Sequence, residues 1–268
     1  MPRLRVRDID LYFERAGSGP RLLYIGGSGG DLRQQPSVFD GLLGKHFDLL
    51  SYDQRGLGRT DKPDTAYSMQ DYAEDTLGLL DALGWERCLV MGVSFGGMVA
   101  QQVAVRAPER IARLVLACTS SGGAGGASYP LHELADLPER ERMIRQLELS
   151  DVRRDADWRA AHPEDLASAL DFMSQRAATG DDRPEDRAGA RRQLEARIGH
   201  DVADRLSGLS MPVLIAAGLH DGIAPPENQK ALESRIPDAT LEFFDGGHLF
   251  LMQDRSAFPR IVEFLGAA

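Results

Sequence analysis

The chain has 268 residues, 43% of them hydrophobic and 27% charged, with a formal net charge of −10. That length buries a large core and suits one domain with an insertion. An acidic surface repels nucleic acid and anionic membranes, so neither is expected as a partner.

No apolar run reaches the length of a membrane span. The start, Met1-Pro2-Arg3-Leu4-Arg5, runs directly into strand-like sequence without a signal-peptide apolar core. A cytoplasmic protein is expected. The two cysteines, Cys88 and Cys118, sit in apolar runs and read as buried, reduced thiols. No metal-ligand spacing is present.

Residues 3–15 alternate apolar and polar and stop at Ala16-Gly17-Ser18-Gly19-Pro20, which predicts an antiparallel hairpin or pair of edge strands. Short apolar runs follow at Leu22–Ile25, Phe47–Tyr52, Cys88–Met91 and Leu114–Ala117. Helical spacing lies between them at 68–83 and at 98–105. Strand alternating with helix predicts a mostly parallel sheet covered on both faces.

The pattern changes over 122–207, which holds no convincing strand. It opens with a linker-like run, Gly122-Gly123-Ala124-Gly125-Gly126, then turns helical and charged, with arginine as its strong base throughout. Leu166, Leu170, Met173 and Ala177 form one apolar stripe that should bury itself against the catalytic edge of the sheet. From Pro212 the strand–helix rhythm returns. The expected architecture is therefore an α/β core, 1–121 and 208–268, with a helical cap over 122–207.

Gly92-Val93-Ser94-Phe95-Gly96 directly follows a predicted strand and precedes a predicted helix. A nucleophile there sits in a strained turn where side chains two positions either side would collide, so glycine occupies both. The bare pattern is weak, with roughly 0.2 matches expected by chance in such a glycine-rich chain. Gly26-Gly27-Ser28-Gly29-Gly30 matches it too, but Asp31-Leu32-Arg33-Gln34-Gln35-Pro36 starts a helix poorly. Ser94 is the candidate nucleophile.

A serine hydroxyl needs a base, and the base needs an orienting group. Asp221 lies just past the Leu214–Ala217 run and His248 just past Phe243-Phe244. The chain order Ser94, Asp221, His248 is that of α/β hydrolases. Asp245 and His220 are weaker alternatives for acid and base. His46, His132, His162 and His200 read as surface or core histidines, and Asp53 and Arg55 as braces of the turn after their strand.

With these motifs in place the chain resembles the α/β-hydrolase family over nearly its whole length. The resemblance includes Asp53-Gln54-Arg55-Gly56-Leu57-Gly58-Arg59-Thr60, similar to the family's Asp-x-Arg-Gly-x-Gly-x-Ser turn, together with Gly218 to Pro225 and Gly247-His248. It resembles capped carboxylesterases and lactonases, such as 3-oxoadipate enol-lactonases, and C–C bond hydrolases. Serine at the elbow argues against haloalkane dehalogenases and epoxide hydrolases with an aspartate nucleophile.

The family resemblance implies an α/β-hydrolase fold, a mostly parallel twisted sheet flanked by helices, with a helical cap insertion. It implies an oxyanion hole from the backbone N–H of Phe95 and one from the loop after the third strand. Matching that loop puts Gly27 at the family's glycine and Ser28 at the donor. The family's histidine is missing, and the repeated glycines leave the register open by one residue.

The function read from this is hydrolysis of a small ester or lactone through an acyl-enzyme, with no cofactor required. Cleavage of a C–C bond in a β-diketone or ring-cleavage product uses the same residues. Cofactor-free haloperoxidase chemistry and a ligand receptor on the same fold are further readings. Met143, Trp158, Phe172 and Met173 are candidate pocket residues. Arg176, four residues after Phe172, is placed to reach a substrate carboxylate or to stay solvated. The partner is a small ester, lactone or diketone substrate, and the chain is expected as a monomer or homodimer.

Overall fold

The computed structural model describes residues 2–180 and 182–267. Its strands are β1 (Arg3–Val6), β2 (Ile9–Ala16), β3 (Arg21–Ile25), β4 (Asp48–Tyr52), β5 (Cys88–Val93), β6 (Ile111–Ala117), β7 (Val213–Gly218) and β8 (Ala239–Phe244). They form one sheet in the order β1-β2-β4-β3-β5-β6-β7-β8. The β1–β2 and β2–β4 pairs are antiparallel and every later pair is parallel. This is the expected mostly parallel sheet, with the predicted hairpin at its edge.

The strands read as continuous apolar runs because both faces are covered. Leu23, Leu50, Val90 and Leu114 enter one apolar cluster, while their neighbours Leu22, Leu49, Leu89 and Val115 enter another. The first cluster packs under α2 (Met69–Ala82), α3 (Phe95–Arg106) and α8 (Pro226–Glu233). The second packs under α1 (Leu42–His46), α9 (Phe250–Gln253) and α10 (Ala257–Gly266). A capping box starts α2: Ser68 accepts from the Asp71 N–H, and Asp71 accepts from the Ser68 N–H.

Between β6 and β7 lie α4 (Glu139–Ser150), α5 (Ala156–Ala161), α6 (Pro163–Ala177) and α7 (Pro184–Ala196). Two features of this insertion differ from expectation. Gly122–Gly126 is a folded turn, with Gly125 buried and Gly122 bridging to Asp201. Its glycines serve three positive-φ positions, at Gly122, Gly123 and Gly126. The α6 stripe is not sealed: Leu166, Leu170 and Met173 are half-buried and Ala177 is exposed.

In contrast, α7 is fastened to the core. A Cβ on Gly189 would lie 2.0 Å from the Gly56 carbonyl oxygen, so only glycine allows this approach. Lys62 pairs with Asp186 at 3.2 Å, and Arg192 donates to the Pro63 carbonyl at 3.0 Å.

The turn that receives α7 is braced by ions, as the sequence suggested. Asp53 accepts the N–H groups of Leu32 (2.7 Å) and Arg59 (2.8 Å). Arg55, 3% exposed, forks onto Asp75, 1% exposed, with two bonds of 2.8 Å, and onto Asp8 with bonds of 2.9 and 2.7 Å. Removing one partner of a buried pair strands the other charge in low dielectric. Asp75→Ala is therefore expected to lower stability by about 3 kcal/mol, measured as a fall in the denaturant midpoint with unchanged slope.

Candidate active site

Ser94 stands between β5 and α3 with φ 54° and ψ −115°, a conformation that costs a side-chain-bearing residue about 1–3 kcal/mol. Its surroundings hold it there. The Ser94 N–H donates to the Ala117 carbonyl (2.8 Å), and the Ser94 carbonyl accepts from the Gly97 and Met98 N–H groups and the Thr119 hydroxyl. A Cβ on Gly96 would lie 2.1 Å from the Ile25 carbonyl oxygen, and one on Gly92 would lie 2.4 Å from the Gly96 carbonyl oxygen. Both flanking glycines are thus required by close approach.

His248 Nε2 lies 2.9 Å from Ser94 Oγ, and His248 Nδ1 lies 2.7 Å from Asp221 Oδ2. The other Asp221 oxygen accepts the Ile223 and Ala224 N–H groups at 2.7 and 2.9 Å. The Asp221 and His248 side chains are 1% and 10% exposed. The buried carboxylate is therefore bonded on both oxygens, and Nδ1 is left as the ring's donor, with Nε2 facing the serine as acceptor. The rivals are occupied elsewhere: Asp245 is exposed and pairs with Arg153 at 2.9 Å, and His220 lies 3.9 Å from that same carboxylate.

Phe95 is the first residue of α3, so its N–H has no acceptor within the helix. Gly27 faces the serine from the β3 loop; a Cβ there would lie 3.5 Å from Ser94 Cβ. Ser28 Oγ beside it is enclosed and has no protein partner among the described residues.

A cleft of about 120 Å³ opens next to Gly27, with Tyr24, Asp31, Gln54 and Arg176 in its walls. Arg176 donates to Gln34 Oε1 (2.6 Å) and to the Gln35 carbonyl (3.2 Å), and its guanidinium lies over the Phe172 ring. It forms no ion pair with a carboxylate among the described residues, and burial lowers its pKa. Met143 touches Ser174 and Met173 is half-buried on α6. Trp158 stacks on His162 within α5 and its C-cap.

Two contributors have no counterpart in the sequence reading. The Ser150 carbonyl, at the end of α4, accepts the His248 N–H at 2.5 Å. Gln193 of α7 accepts the Gly29 N–H at 2.8 Å. A signal for Gln193 exists: Gly189, Gln193 and Ala196 are uncharged positions spaced four and three along a charged helix, and all three are buried.

The family model described as the alpha/beta hydrolase fold matches residues 20–254. A putative carbamate hydrolase RutD of Variovorax paradoxus is 28% identical over 95% of this chain and 96% of its own. The 3-oxoadipate enol-lactonase 2 of Acinetobacter baylyi is 26% identical, over 97% of this chain and 94% of its own. The enol-lactonase of Burkholderia xenovorans LB400 superposes with a TM-score of 0.79 at 27% identity, covering 99% of this chain and all of that one. No helix among the described residues is long and apolar enough to cross a membrane. By fold, by family model and by its hydrolase relatives, the chain belongs to the alpha/beta hydrolase family and is a hydrolytic enzyme.

Proposed function

We propose that the enzyme hydrolyses a small ester or lactone through an acyl-enzyme on Ser94. The observation that carries this is the unbroken chain of hydrogen bonds from Ser94 Oγ through His248 to Asp221, beginning at a strained turn. In this reading His248 Nε2 takes the hydroxyl proton as Oγ attacks the carbonyl carbon. The N–H groups of Phe95 and Ser28 hold the oxyanion. The C–O bond to the alcohol then breaks, and His248 returns the proton to the leaving oxygen. Water, deprotonated by the same ring, releases the acid.

The insertion serves as a cap over this site, and its α6 residues face substrate together with Met143 and Trp158. Arg176 suits an acid-bearing substrate, because its charge is half-buried and forms no ion pair with a carboxylate among the described residues. The enol-lactonase relatives favour a lactone within the ester class.

Ser94→Ala should abolish hydrolysis of p-nitrophenyl esters and labelling by a fluorophosphonate while the melting curve stays that of a folded protein. Retained labelling, on Ser28 for example, would falsify the assignment.

Asp221→Asn keeps an oxygen for the Ile223 and Ala224 N–H groups but turns an amide N–H₂ toward His248 Nδ1. That selects the wrong tautomer, and kcat should fall on the order of 10³–10⁴-fold. A variant within tenfold of wild type would place the acid elsewhere.

Substituting Phe172 or Met173 by alanine should reorder a series of p-nitrophenyl esters by chain length while fluorophosphonate labelling of Ser94 stays fast. An unchanged order in both variants would remove those two residues from the pocket.

A further inference from the structure

The His248 ring is held by its bonds to Ser94 and Asp221, but the backbone that carries it follows Gly246 and Gly247. Glycine restrains a chain least, so that backbone needs fixing from outside.

The fixing comes from the junction after α4. The Ser150 carbonyl accepts the His248 N–H, and a Cβ on Gly247 would lie 1.9 Å from that same oxygen. Gln253, the last residue of α9, accepts the Gly247 N–H at 2.8 Å and donates to Asp151 Oδ2 at 3.1 Å. The Asp151 side chain is 3% exposed. Arg153 donates to one of its oxygens through Nε at 2.9 Å and to the other through Nη2 at 2.8 Å. Arg153 Nη1 donates to Asp245, the first residue after β8, at 2.9 Å. The path closes into a ring: Asp245, along the chain to Gly247, through Gln253 to Asp151, and back through Arg153.

The polarity of this ring is fixed. The Gly247 N–H can only donate, so the Gln253 atom facing it is Oε1 and the atom facing residue 151 is Nε2. Residue 151 must then accept. Burial opposes the charge of Asp151, but the Arg153 and Gln253 bonds outweigh it and hold the carboxyl below the usual range.

We propose that Gln253 and Asp151 are positioning residues: their bond sets the Gly247 peptide, and through it the placement of His248 Nδ1 against Asp221 and of Nε2 against Ser94. This rests on the acyl-enzyme reading above.

The test pairs kinetics on p-nitrophenyl acetate with the tautomer of His248. The tautomer is read by long-range proton–nitrogen NMR on protein carrying isotopically labelled histidine, assigned with His248→Ala. Wild type is expected to hold the proton on Nδ1, and a proton on Nε2 overturns the proposal. Gln253→Met keeps the bulk and loses both bonds. Its kcat should fall on the order of 10²-fold with KM little changed, and its His248 should divide between the two tautomers. Gln253→Glu keeps an acceptor for Gly247 but sets a second carboxylate against Asp151, and should lose as much. Adding Asp151→Asn to Gln253→Glu restores a donor and an acceptor in reverse order. That double variant should regain about tenfold in kcat and return the proton to Nδ1. A fall in kcat with the Nδ1 tautomer intact marks a structural role only and overturns the proposal. So does wild-type kcat in Gln253→Met, or a double variant no better than Gln253→Glu alone. Should Gln253→Met fail to fold, the comparison of Gln253→Glu with the double variant decides. Absence of wild-type turnover counts against the acyl-enzyme reading instead, and the tautomer comparison, which needs no substrate, still decides the proposal.

Discussion

Everything in the site is arranged around one backbone constraint, the turn that carries Ser94 at positive φ between β5 and α3. A side chain in that conformation is unfavourable unless its surroundings leave no other choice. Here the peptide of Ser94 is committed on both sides, to Ala117 on β6 and to the first turn of α3 and Thr119. The turn can form only because glycine at 92 and 96 lets α3 and the β3 carbonyls come so close. The same bend makes Phe95, whose N–H has no acceptor within the helix, the residue after the hydroxyl, so strain, hydroxyl and an N–H donor arise together.

The remaining groups are brought in by strand ends on either side of β5. Asp221 is held by two backbone N–H groups of its own loop, which fixes a buried carboxylate without a cation. Its second oxygen is free to orient His248. The Arg55–Asp75–Asp8 cluster does the corresponding structural work beneath the turn after β4, on the other flank. The charges that are buried most deeply in the molecule are thus paired or bonded, and they lie where loops rather than strands need fixing.

The sequence showed the core of this plainly, and for a local reason. Ser94, Asp221 and His248 sit one, three and four residues past the ends of β5, β7 and β8, each within two residues of a glycine, so strand end and turn can both be read from a few neighbours. Asp53 and Arg55 were legible as braces on the same ground. The insertion was less legible. Helical spacing located α6 but not its exposure, because a stripe of Leu166, Leu170 and Met173 says nothing about how much surface is available to cover it. Glycines at 122–126 looked like a linker, yet they supply positive φ to a folded turn. Gln193 and Ser150 act through contacts more than a hundred residues away or through a carbonyl, and a main-chain oxygen leaves no trace in residue identity.

The two ends of the insertion are stitched to opposite flanks of the site. The last turn of α4 accepts the N–H of His248 and of Gly222, while α7 holds the Gly29 loop and the turn after β4. A rigid swing of the whole insertion would therefore drag the imidazole away from the serine and release the loop opposite it. If the insertion caps the site as proposed, traffic of molecules in and out must spare both seams. It falls to α5 and α6, which have no fully buried side chain and so the smallest cost of local opening. On that proposal, entry and exit would proceed at their own pace while Ser94, His248 and Asp221 stay assembled.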